Sequence, residues 1–158
     1  MPRRKSAEEG ALYFRVFPEY KRLYYDVYIW SSHKLMRANL RNIFSRKELG
    51  SVLACVVTFE REYRKSPTHL GDIHFNREHL DRSIVGHEAT HAGLSWACRV
   101  RLDLTQIRER GIDKRAHPAE ERLCDAIGAI VHQVEEAIRI SEWRDEPAPD
   151  KSRLIYES

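Results

Sequence analysis

The apolar residues change period once, near Leu80, and that single change confines the chain to an architecture of strands first and helices after. Before it, residues 12–17 and 24–30 are rich in Tyr, Phe, Val and Ile, and Pro18-Glu19-Tyr20-Lys21 reads as a connection, so two strands are expected. Leu35, Met36, Leu40 and Ile43 then recur at helical spacing behind the possible caps Ser31 and Ser32, which predicts a helix through about Phe44. Gly50 breaks that pattern. Residues 52–59 read as a buried strand, Ser66-Pro67 as a turn, and Asp72-Ile73-His74-Phe75-Asn76 as a half-buried or edge strand, because polar and apolar residues alternate.

After the change, Leu80, Ile84, Val85, Ala89, Ala92 and Trp96 fall on one side of a helix that reaches Cys98 or beyond, with Asp81 placed to favour its start. Residues 104–110 predict a short helix closed by Gly111. His117-Pro118 opens the last helix, since Pro suits a first turn and Glu120 and Glu121 sit near the positive end of its dipole. Leu123, Ile127, Ile130, Val131, Val134 and Ile138 carry it for about twenty residues. The expected organisation is one α+β domain over residues 1–146, followed by a linker-like tail, 147–158, that contains Pro147 and Pro149.

With 158 residues the chain has material for one core. Its 27 Lys+Arg and 24 Asp+Glu give a formal net charge of +3, and because the two signs are interleaved, a nucleic-acid partner is not expected. No apolar run approaches the roughly 18 residues of a spanning helix, and the start, Met1-Pro2-Arg3-Arg4-Lys5-Ser6, has no apolar signal region. Cys55, Cys98 and Cys124 are sparse, odd in number and without a Cys-x-x-Cys pair, so reduced thiols and a cytoplasmic location are expected.

One constellation carries chemistry. His87-Glu88-Ala89-Thr90-His91 is an H-E-x-x-H inside the helix predicted from periodicity, and chance would place it in a chain of this composition about 0.04 times. Imidazoles at i and i+4 share a helix face, so both reach one metal at about 2.0–2.1 Å, with Glu88 beside it. Gly86 and Gly93 would each cost roughly 1 kcal/mol on an exposed helix, which points to close packing there. Two imidazoles make a weak site, so a third ligand is required. The last helix offers Glu120 or Glu121, and Glu121 is preferred because Asp125, four residues on, would hydrogen-bond the outer nitrogen of a ligating histidine. A three-histidine site through His117 stays open.

His87-Glu88-x-x-His91 followed by Glu121-x-x-x-Asp125 resembles the gluzincin arrangement of zinc metallopeptidases, and in size the small ImmA/IrrE-type peptidases of phage and mobile elements. A metzincin is excluded by Leu94 and Ala97, where that class has Gly and His. The resemblance implies a zincin-like fold, in which a small, mostly antiparallel N-terminal sheet packs on an active-site helix and a second long helix completes the zinc site. It further implies Zn2+ on His87, His91 and Glu121, Glu88 as general base in hydrolysis of an intracellular protein or peptide, and substrate paired with an edge strand at 73–76. His74, His117, His132 and Tyr156 are the candidate substrate or oxyanion contacts. The rival expectation is a non-catalytic, zinc-stabilised phage-type protein that binds a host partner.

Overall fold

Two strands joined by a turn open the fold in a computed structural model of the chain, which describes residues 10–20, 22–41, 43–59, 64–105 and 118–145. β1 (Ala11–Val16) and β2 (Tyr24–Trp30) pair antiparallel, with Tyr13 opposite Tyr28 and Arg15 opposite Asp26. α1 (His33–Leu40) starts at Ser32, whose hydroxyl accepts the Leu35 N–H, and stops short of Phe44. α2 (Arg46–Leu49), absent from the sequence reading, is one turn held by a capping box between Ser45 and Glu48. β3 (Cys55–Thr58) is shorter than expected, and β4 (His69–Asn76) starts three residues before Asp72.

The sheet is mixed, in the order β1-β2-β4-β3, with antiparallel pairs outside and the parallel pair β2·β4 at the centre. This corrects one expectation directly. Residues 73–76 belong to an interior strand that is buried along its whole length and paired to β2, with Ile73 and His74 also paired to β3, so the segment is not an edge strand. The edge beside β4 is β3. Gly71 is required at this junction, because an added Cβ would strike the carbonyl oxygen of Val57.

Alternate residues of each strand face two separate layers. Val16, Tyr25, Val27, Ile29, Ile73 and Phe75 pack against α3 (Arg82–Arg99) and α4 (Pro118–Asp145) through Val85, Ala89, Ala92, Trp96, Ala126, Ile130 and Val134. Ala11, Tyr28 and Trp30 pack on the other face against Met36, Leu40 and Leu49. Polar ties fasten the helices to the sheet. The Tyr25 hydroxyl donates to the Ala92 carbonyl at 2.8 Å, and the Gln133 amide bridges the backbone N–H and C=O of Phe17 at 2.9 and 2.8 Å. α4 has 28 residues where about twenty were expected. Residues 106–110 of the predicted helix, His117, Tyr156 and the tail 147–158 lie outside the described residues. Among those described, no helix is long and apolar enough to cross a membrane.

Candidate metal centre

α3 begins where the sequence places its cap. Asp81 accepts the Ile84 N–H at 2.8 Å, and the buried side is lined by small residues, Ala89, Ala92, Gly93 and Ala97. Burial of that side leaves His87 and His91 on the outer face, both exposed, with their Nε2 atoms 3.1 Å apart. Two nitrogens at 2.0–2.1 Å from one tetrahedral ion stand about 3.3 Å apart, so the pair already has the spacing of two ligands on a single metal. Glu88 turns inward and is only 6% exposed. Burial raises its carboxyl pKa, while His87 and His91 act in the opposite direction. Burial pushes the Cys55 thiol on β3 up to about 12, with the charge of Glu88 next in effect. Cys55 itself pairs with His74 in the sheet and packs with Met36 and Leu40 on the other face.

Three contacts fix how α4 lies on α3: Arg82 to Glu135 at 3.9 Å, Gly93 against Ile127, and the Arg122 guanidinium 5.3 Å from the Trp96 ring centre. As the number rises on α3 it falls on α4, so the helices are antiparallel, and Glu121 is level with Cys98, about 10 Å along the axis from His91. The side is wrong as well. Gly93, which carries α4, is about 200° around the helix from His91. Glu121 and Asp125 are both exposed, and Glu120 is half-buried with its Oε2 atom withdrawn from solvent. Among the described residues no third His, Cys, Asp or Glu atom lies within 4.8 Å of both histidine nitrogens. The structure thus joins His87, Glu88 and His91 but does not bring Glu121 or Asp125 to them.

His74 is placed elsewhere. Its neighbours Ile73 and Phe75 face the helices, whereas His74 lies on the opposite face, stacked on Tyr28 and accepting the Trp30 indole N–H on Nδ1 at 3.1 Å. It is a packed core histidine and cannot contact a substrate at α3. His132 is exposed on α4, beside Glu135 and Arg82 in an open groove that does not include His87 or His91.

No family model, curated protein or solved structure matches the chain. The gluzincin likeness rests on the residues just described.

A second constellation, missed in the sequence, lies on the face of the sheet away from α3. Asp26 is fully buried in the middle of β2; its Oδ1 accepts the Tyr13 hydroxyl at 2.7 Å and Arg15 Nε at 2.9 Å, and its Oδ2 accepts Lys65 Nζ at 2.9 Å. Burial alone would raise the Asp26 pKa, but these three hydrogen bonds outweigh it and hold the carboxyl below its usual range. His69 Nε2 stands 2.9 Å from Asp72 Oδ1 and 3.7 Å from Asp26 Oδ2. By spacing, Asp26, His69 and Asp72 form a buried group that could hold a metal ion. The sequence signal was an aspartate at the centre of an otherwise apolar and aromatic strand, a position that demands buried partners.

Proposed function

We propose that the chain is a zinc-dependent peptidase that holds its metal through His87 and His91, uses Glu88 as proton carrier and cleaves an extended segment of an intracellular protein. One observation carries the reading: imidazole nitrogens 3.1 Å apart at i and i+4, with a buried carboxylate from the residue between them. Zinc bound there would supply Lewis acidity, polarising a peptide carbonyl and acidifying water.

The chain's own groups account for binding and proton movement. His87 and His91 would hold the ion, and Glu88 would take a proton from water and return it to the leaving amine. Among the described residues the outer edge of β3 pairs with no strand, and α3 packs against β3, an arrangement that suits an extended peptide added as a fifth strand. Three unpaired cysteines fit a reducing compartment. Glu121 is not part of this ligand set in the arrangement described.

The exposed histidine pair, with no third ligand among the described residues, favours a second reading in which zinc stabilises a non-catalytic protein that binds a host partner. Metal content and cleavage of a fluorogenic peptide library, measured on wild type and Glu88→Gln, separate the two. The peptidase reading expects about one zinc in both proteins and turnover only in wild type. Equal turnover by Glu88→Gln, or wild type without metal, overturns it; an intact partner retained equally by both proteins supports the second reading.

A further inference from the structure

The Asp26–His69–Asp72 group has the spacing of a metal site, but its hydrogen bonds run the wrong way for one. The backbone N–H of Lys65 donates to His69 Nδ1 at 3.3 Å, so the ring proton belongs on Nε2, where it is given to Asp72 Oδ1 at 2.9 Å. An Nε2 that carries a proton has no lone pair for a metal. The Lys65 side chain meanwhile occupies the place a cation would take, with Nζ 2.9 Å from Asp26 Oδ2 and 3.1 Å from the Tyr28 hydroxyl.

The charges agree with the geometry. Asp26 and Asp72 are balanced by Arg15 and Lys65 around a neutral His69, so an added divalent ion would leave two uncompensated positive charges in a buried region. We infer that the resident cation of this group is the ammonium of Lys65, and that a divalent transition metal enters only when Lys65 leaves. One residue supplies both barriers, the ammonium at Asp26 and the N–H that sets the His69 tautomer. Lys65 is also the member that can leave, since its side chain is 52% exposed, and it lies in the segment between edge strand β3 and β4. Seated, it ties residues 64–68 to the middle of the sheet; a metal and this tie are alternatives.

The test uses the full chain carrying His87→Ala and His91→Ala, which removes the α3 pair, and measures zinc and cobalt by equilibrium dialysis. With Lys65 present, less than about a tenth of an equivalent is expected; adding Lys65→Pro, which removes both the ammonium and the backbone N–H, raises this to about one equivalent, and adding Asp72→Asn abolishes the gain. About one equivalent with Lys65 in place, lost on Asp72→Asn, overturns the inference, as does a folded Lys65→Pro protein that gains no metal. Independently of whether that variant folds, the nitrogen NMR shifts of His69 in the Lys65 protein should show the proton on Nε2 and stay unchanged when zinc is added; a proton on Nδ1 overturns the inference.

Discussion

Gly93 of α3 lies so close to Ile127 of α4 that a single added methyl would overlap the isoleucine side chain. Gly93→Ala should therefore destabilise the protein by about 1–3 kcal/mol through overpacking. Gly86, on the same helix, has open space where its Cβ would be, so Gly86→Ala should stabilise by about 0.5–1 kcal/mol. Urea midpoints at unchanged m-value read both, and equal signs for the two variants would contradict this packing.

The same contact bears on the proposed metal ligands. Because Gly93 turns α4 away from His91, Glu121→Gln should retain zinc at the wild-type level, while His87→Ala and His91→Ala should each lose it. Metal analysis after gel filtration checks this, and zinc loss in Glu121→Gln would place α4 differently against α3.

Asp26 collects a hydroxyl and two cations in a site closed to water. Asp26→Asn removes the charge those cations share and should cost about 2–3 kcal/mol, toward the low end for a buried ion pair because Arg15 and Lys65 reach solvent. Lys65→Met should cost about 1 kcal/mol, and the double variant less than the sum. Chemical denaturation of the four proteins gives the coupling; additivity within about 0.3 kcal/mol would mean that the 2.9 Å contact contributes nothing.

His74 sets a pH dependence of defined sign. Burial lowers its pKa from the ordinary 6.5 to about 4, so the folded protein keeps the ring neutral over a range in which the unfolded chain protonates it. Its contribution is complete above about 6.5 and is lost as pH falls toward 4, a change on the order of 3 kcal/mol. His74→Gln, which keeps an acceptor for the Trp30 indole, should flatten the stability curve across that window. An unchanged slope would show that His74 is protonated in the folded state.

The first two strands, the start of α3 at Asp81 and the long run of α4 were legible because each rests on a local signal: aromatic and β-branched runs, a cap, or a 3.6-residue period. The place of β4 was not. Asp72, His74 and Asn76 alternate with Ile73 and Phe75 as on a half-exposed strand, yet both sets are buried, one toward the helices and one toward α1 and the Asp26 group. Alternation reports two different faces without saying whether the polar one meets water. α2 is too short for periodicity, although Ser45-Arg46-Lys47-Glu48 spells its capping box. H-E-x-x-H gave the paired histidines because i, i+4 geometry is local, whereas the third ligand depended on which side of α3 received α4, a matter decided by Gly93 and its partner.

The parallel pairing at the sheet centre also orders assembly in time. β1 and β2 meet across one turn, while β2 waits for a strand that begins at His69, some 39 residues after Trp30. Long loop closure makes such a step slow, so the hairpin should form early and the centre close late. Until then Asp26 has Tyr13 and Arg15 from its own hairpin but neither Lys65 nor His69, and its charge stays in water. The junction is therefore the last to close, and only then does the charge of Asp26 gain the ammonium of Lys65.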